Sequence, residues 1–578
     1  MRKKHFLFAS VLALLCGSST LHAQDFKLTS SGYFKNQGVD VMAFDDIYPE
    51  GHQGGVCIIM NGHRVATNGD IRLEATPGQW QPVPKQLDRK LGDNSITATL
   101  CYPDSSRHLT GFNPMIYPDL HLIYTVNVDS KGKNIEVTVD LDRPIPQEFI
   151  GKVGFNLEFF PGSLFGKPWI MDGQSGIFPQ QPNSPLMTTQ PNYLHTGNYH
   201  DGKKSLADMD KLIGKGYSPI VADDIISEPY AKGTKFTSRP DDPYNKVTIE
   251  SLSGDLQLFD GRMNHNNGWF VLRSNIKPGV TKGAVKWIIT PNVVADWMYQ
   301  PVIQTSQIGY HPTQDKEAVI EMDIRDNRKE TAQIIRIDAD GEKVVKNVTP
   351  ANWGKFLRYN YLKVDFTDVK EPGLYKIKYD TSVSPIFRID NDVYARGVWQ
   401  PVLEYFLPVQ MCHMRVNEKY RVWHDCCHMD DAQMAPAHNH IDGYDQKEGL
   451  SKFKPGEVVP GVNIGGWHDA GDFDLRIESQ AGESYILALA YEAFHPNLDV
   501  TSIDQINRVT EIHQPDGKND LLQQVENGAL TVVNGYLALG RLYRGIICNN
   551  LRQYVLLGDA AAMTDGKIGN EDDRWIFT

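Results

Sequence analysis

Residues 465–472 read Gly465-Gly466-Trp467-His468-Asp469-Ala470-Gly471-Asp472. The octet sets two carboxylates three residues apart with only Ala and Gly between them. A spacer of small residues lets the backbone turn tightly and brings both acids to one side. Two neighbouring acids can hold one water molecule, one taking its proton while the other orients it. Trp467 supplies a flat ring of the kind that stacks on a sugar. The bland reading of the same residues is an Asp-Gly turn beside a half-buried Trp, and the octet alone does not separate the two.

The chain around this octet has a helical period. From Asp392, residues Val393, Val398, Val402, Leu403, Tyr405 and Phe406 fit one apolar face at helical spacing. A second helix is expected over about 480–493, where Ala481, Tyr485, Ile486, Leu487, Leu489, Ala490 and Tyr491 give a nearly continuous apolar surface. A third is expected to begin near Lys518-Asn519-Asp520-Leu521-Leu522 and to run through Val525 and Ala529 to Leu542.

Upstream the period is that of strands. Val56-Cys57-Ile58-Ile59-Met60, residues 121–128 and residues 135–141 alternate or run apolar between Gly, Pro, Asn and Asp clusters. Residues 24–299 therefore read as a large β-sandwich region of unassigned role. Within it, residues 162–199 read as long loops. Trp169, Tyr193, Tyr199 and Trp269 are candidates there for a carbohydrate platform, against the commoner structural role for aromatics. Residues 300–390 carry regular short strands in the number and length of an immunoglobulin-like sandwich. The expected fold is thus multidomain, β then α, with its boundary near 390.

A second constellation lies close to the first. Cys412, the run His424-Asp425-Cys426-Cys427-His428, and His468 are dense in nitrogen and sulfur donors. Zinc favours four such donors. A reduced thiol cluster, a Cys412–Cys426 disulfide, or Cys426 as a ligand in place of Cys427 are the competing readings. Cys57 and Cys101 are a further candidate pair.

Trp-His-Asp-Ala-Gly-Asp resembles the signature of glycoside hydrolase family 9, the inverting endoglucanases built on an (α/α)6 barrel. The resemblance covers roughly residues 300–578. Gln307-Ile308-Gly309-Tyr310 and Pro372-Gly373-Leu374-Tyr375 sit where the immunoglobulin-like module of one branch of that family has its typical residues. The resemblance implies a partial (α/α)6 catalytic domain over 391–578. It also implies Asp472 as the general base, Asp469 as its partner on the water, and Trp467 as a substrate-binding residue. It further implies a structural zinc on Cys412, Cys427, His428 and His468. Calcium is a second cofactor it implies, with no local loop to assign to it. The family's general acid is a Glu late in the barrel, and it is expected to lie beyond Thr578. Glu478, Glu483 and Glu571 are nearby acids that do not match the acid's motif. A half-barrel is expected to leave apolar helix faces open to water, with little or no hydrolysis by this polypeptide alone.

Composition sets the remaining bounds. With 41% hydrophobic and 22% charged residues among 578, the chain reads as ordinary globular protein of several domains. A formal charge of −13 speaks against nucleic acid or an anionic membrane as partner and leaves a neutral polysaccharide open. Residues 1–23 read as an export signal: Arg2, Lys3 and Lys4, an apolar run over 6–15 too short to span a bilayer, and Ala23 before the cut. Cys16 raises lipidation, but Leu15 is the wrong size for the residue before a lipidated Cys. Two functions follow: an exported endo-β-1,4-glucanase acting on cellulose, mixed-linkage glucan or xyloglucan, or a non-catalytic carbohydrate-binding or surface-assembly protein. A metallohydrolase on the Cys/His set is disfavoured, because four protein ligands leave no open position.

Overall fold

The structure, a computed structural model, describes residues 25–45, 54–78, 82–102, 120–183, 187–189, 225–263, 268–439, 445–469, 473–548 and 574–578. The expected leader at 1–23, Tyr193, Tyr199, Asp472 and Glu571 lie outside the described residues.

Two nine-stranded antiparallel sheets form the N-terminal unit. One has His63–Leu73, Val153–Phe159 and Phe270–Asn275 at its middle. The other is centred on Val285–Pro291, Asn134–Leu141 and Ile123–Lys131. The period-2 alternation has a direct cause: Tyr124, Val126 and Val128, with Ile135, Val137 and Val139, all point into one shared core. Trp287 fills that core edge-on to Phe155, ring centroids 4.9 Å apart, and its Nε1 donates to Ser274 Oγ at 3.0 Å. Asp70, Asn156 and Arg273 stand in register across three neighbouring strands of the first sheet. There Arg273 Nη1 meets Glu74 Oε1 at 3.1 Å, and Asn156 Nδ2 donates to the same oxygen at 2.7 Å. Burial drives the carboxyls of Asp70 and Glu74 up, to about 6 and about 7, against the opposing pull of Arg72 and Arg273. The described residues of the 162–199 stretch include strands at Pro168–Met171 and Gln174–Ile177, where loops were expected. Trp169 is buried there and stacks on Tyr230, so it presents no platform.

Trp297 and Tyr299 lead into the second unit. Gln37 Nε2 donates to the Trp297 carbonyl from the first unit, and Tyr299 donates from its hydroxyl to Glu321 Oε1 at 2.9 Å in the second. This second unit is a sandwich of a four-stranded and a five-stranded sheet around Ile320, Ile334, Ile377 and Phe387. Gly309 explains part of its sequence pattern. Its φ is +104°, and a Cβ there would stand 2.3 Å from the Arg388 carbonyl oxygen, so only glycine fits. Tyr310 follows it, buried, with its hydroxyl bonded to the Glu317 carbonyl and the Ser306 N–H.

The C-terminal unit departs from the expected run of helices. Helix α1 spans only Gln400–Tyr405 and gives way to a wider π-type turn, Phe406–Gln410. Pro408 lies in that turn, has no N–H to donate and crowds the preceding turn, which accounts for the early end. Helices α2 (Ile477–Phe494) and α3 (Asp520–Leu539) are the long ones and pack together. Asn519 caps α3 by accepting the Leu521 N–H at 3.1 Å, and Gly540 ends it in the left-handed conformation. Two small four-stranded sheets complete the unit among the described residues. Arg415–Glu418 pairs in parallel with Val509–Ile512, and Gln433–Met434 in parallel with Arg574–Phe577. The described residues therefore form a mixed α and β unit, and an (α/α)6 barrel is not what they show. Tyr485, Ile486 and Phe494 of α2, with Val533 and Leu537 of α3, are exposed. Among the described residues no helix is long and apolar enough to cross a membrane.

A candidate metal centre beside a carboxylate loop

Two glycines set the approach to the site. Gly465 and Gly466 have φ of +66° and +87°. A Cβ on the first would lie 2.2 Å from the Asn527 carbonyl oxygen, and one on the second 2.7 Å from Thr531 Oγ1. The backbone thus runs directly against α3. His413 Nδ1 holds the Gly465 carbonyl at 2.8 Å, and Cys412 N–H donates to the Gly466 carbonyl at 2.9 Å. His468 N–H donates to Gln410 O at 2.6 Å. These bonds lay residues 465–468 alongside the end of the π-type turn and bring His468 to Cys412.

Cys412, Cys427, His428 and His468 converge, with one ligand atom from each lying within 4.8 Å of all the others, and all four are buried. Cys412 Sγ stands 3.7 Å from Cys427 Sγ and 3.5 Å from His428 Nδ1, and Cys427 Sγ is 3.6 Å from His468 Nε2. A tetrahedral ion with metal–sulfur bonds of about 2.3 Å and metal–nitrogen bonds of about 2.0–2.1 Å would set these separations at roughly 3.5–3.8 Å. The residues present therefore fit zinc. The other ring nitrogen of His468 faces the Val409 carbonyl at 3.2 Å, which orients the imidazole. Cys426 points away, with its sulfur 3.8 Å from the Arg508 carbonyl, so Cys427 is the cysteine that faces Cys412. His424 likewise turns to the Asp425 carbonyl. Cys57 and Cys101 lie on different sheets.

The electrostatics suit metal binding. Burial alone would raise the Cys412 thiol; the Cys427 hydrogen bond and the charges of His413, His468 and Arg574 outweigh it and hold Cys412 well below the ordinary thiol range. Cys427 moves well above that range because it donates to Cys412 and is itself buried. Burial, then the charge of Arg574, keeps His428 neutral, the state in which an imidazole binds metal.

The carboxylate loop starts at the next residue. Asp469 N–H donates to the Asp474 carbonyl at 3.0 Å. Arg476 Nε bonds Asp469 Oδ2 at 2.8 Å, and its Nη2 bonds Asp474 Oδ2 at 3.1 Å. Across from it on α2, burial first and the Asp469 charge second raise the Glu483 carboxyl.

Trp467 is not the sugar platform expected. It is 1% exposed, packed on Phe406, with its Nε1 bonded to Gln524 Oε1 at 3.2 Å. Gln480 clamps its backbone from both sides, accepting the Trp467 N–H and donating to its carbonyl, each at 2.9 Å. Gln480 and Gln524 escaped the sequence reading because they sit on helical faces that otherwise read as polar surface. Arg574 and Asp431 escaped it as well; the signal available was one Arg opening an otherwise apolar strand. Gly528 of α3 gives Trp467 its room: a Cβ there would lie 2.2 Å from Ser484 Oγ and 2.4 Å from the indole. Gly528→Ala should therefore destabilise the C-terminal unit by about 1–3 kcal/mol, as overpacking does. Its urea midpoint measures this, and an unchanged midpoint would show that the indole has room to move.

The family model described as the cellulase N-terminal ig-like domain matches residues 298–384. Endoglucanase D of Acetivibrio thermocellus is 22% identical over 238 residues, covering 40% of this chain and 34% of the relative. The chain thus spans about a third of the length of the curated relatives it matches. Among solved structures, a Zn-binding triple mutant of the GH family 9 endoglucanase J30 is 23% identical with a TM-score of 0.31, covering 41% of this chain and 40% of that one. A Bacteroides ovatus GH9 protein is 21% identical with a TM-score of 0.31, covering 42% and 41%.

Proposed function

We propose that this chain, whose residues 298–384 match the cellulase N-terminal ig-like domain, serves an exported glycoside hydrolase that cleaves β-1,4-linked glucan with inversion. The observation that carries the reading is the placement of Asp469 directly after His468, at the head of a loop fastened beside a four-donor centre. A site of that kind would hold Asp469 still beside the four donors.

In this reading Asp472 takes a proton from water and Asp469 accepts that water's other hydrogen. The water oxygen bonds to the anomeric carbon as the glycosidic C–O bond breaks on the opposite side. A second carboxyl about 6.5–9.5 Å from the base gives its proton to the leaving oxygen; no described residue is assigned that part. Cys412, Cys427, His428 and His468 would hold zinc, whose contribution is to fix the loop, since four protein donors leave no position for substrate. Arg476 orients Asp469 through their ion pair.

Reducing-end release and viscosity of carboxymethylcellulose, mixed-linkage glucan and xyloglucan, measured on a protein that joins this chain to the segment carrying the acid, test the proposal. New reducing ends with an early fall in viscosity on at least one of them are the expected result. Binding to the same glucans without any new reducing ends would support a carbohydrate-binding role and overturn the hydrolase.

A further inference from the structure

Arg574 opens the strand Arg574–Phe577 and is 1% exposed. Its guanidinium has three partners. Nε donates to Asp431 Oδ2 at 2.5 Å, Nη1 donates to the Phe473 carbonyl, and Nη2 donates to Cys412 Sγ at 3.4 Å. Asp431 is fully buried and also accepts the Arg574 backbone N–H at 3.3 Å. Burying a guanidinium and a carboxylate costs several kcal/mol per ion before compensation, so a hydrophobic pair would serve packing as well. The charges show what this pair adds. Two thiolates and two neutral imidazoles balance a zinc dication, and Asp431 balances Arg574. Arg574 therefore brings a directed N–H···S bond to a metal ligand with no change in net charge.

The same side chain reaches the other half of the site. Phe473 follows the 470–472 segment, and its φ of +59° is one that a bulky residue keeps only when its surroundings impose it. Arg574 holds the carbonyl of that residue. We infer that Arg574 is a positioning residue that joins the metal centre to the carboxylate loop, bonding Cys412 and the Phe473 carbonyl through one rigid guanidinium. The inference rests on the reading of the Cys/His set as a metal site.

The test uses the full chain, freed of metal, with zinc and cobalt(II) as probes, and the variants Arg574→Met and Arg574→Lys. The wild type should take up one equivalent of either ion. Outer partners of metal ligands are worth about 10–100-fold in affinity, so Arg574→Met should bind zinc that much more weakly in competition with a chelator. It should also shift the thiolate-to-cobalt charge-transfer band to longer wavelength, because the sulfur loses a hydrogen bond. Arg574→Lys keeps the charge but not the fork, and it should fall between the two; it decides the matter if Arg574→Met does not fold. Zinc should slow amide exchange over residues 473–475 in the wild type and not in Arg574→Met. A folded variant with unchanged zinc affinity and an unmoved cobalt band overturns the inference while leaving the metal site standing. Exchange slowed equally by zinc in the variant overturns the join to the loop. A wild type that takes up neither ion removes the metal site and the inference together.

Discussion

In a protein that also carries the general acid, Asp472→Asn is expected to lower kcat on β-1,4-glucan by about 10²–10⁴-fold, the range a general base supplies. KM should stay within a few-fold, because the amide keeps the shape of the side chain and loses only the ability to take a proton. Asp469→Asn should cost less. Asp469 is held by Arg476 at 2.8 Å, and an amide there still offers one oxygen to water while loosening that ion pair. The split between the two variants assigns the roles. If Asp469→Asn is the more damaging, the base and its helper are exchanged. If Asp472→Asn keeps more than about a tenth of wild-type kcat, it is not the base, because that loss falls short of what a general base contributes.

Loss of metal is the second large effect. The four donors come from three separated places in the chain: the end of the π-type turn, the segment after Arg421–His424, and the octet. An ion there closes long loops that the unfolded chain leaves open. An ion present at about 1,000 times its Kd adds about 4 kcal/mol. At about 2–4 °C per kcal/mol for a unit of this size, its removal should lower Tm by roughly 8–16 °C. Chelation followed by calorimetry measures this, with readdition of zinc restoring the transition. Cys427→Ser should reproduce the loss and make the chain indifferent to chelator. Cys426→Ser should leave Tm and its zinc response alone, since the Cys426 sulfur faces the Arg508 carbonyl. Equal effects of the two substitutions would mean that the ligand set is wrong.

How far these residues could be read before folding varies by element. The immunoglobulin-like module was legible because its marks are backbone constraints: Gly309 answers a steric demand from the Arg388 carbonyl, and such demands leave a visible glycine. The long strands of the first unit were legible because eight or nine residues of alternation are enough to see a period. The donors Cys412, Cys427, His428 and His468 were nominated by residue type and by family resemblance; their spacing carried no period. The small sheets were not legible. Arg415–Glu418 is four residues long, and its parallel partner, Val509–Ile512, lies far along the chain. Trp467 misled because an indole beside two carboxylates reads as a sugar platform. Its burial is set by Phe406, Gln480, Gln524 and the absent side chain of Gly528, all distant in sequence. Arg574 was hidden for the same reason, since its three partners come from residues 412, 431 and 473.

The central claim is direct displacement by a water that Asp469 and Asp472 hold. Proton NMR of a soluble cello-oligosaccharide during its first turnovers tests it most directly, because the anomeric signal of the new reducing end reports the face attacked. The account predicts that the α-anomer forms first and then mutarotates. A β-anomer formed first would mean a covalent intermediate and a nucleophilic carboxylate, and would contradict it.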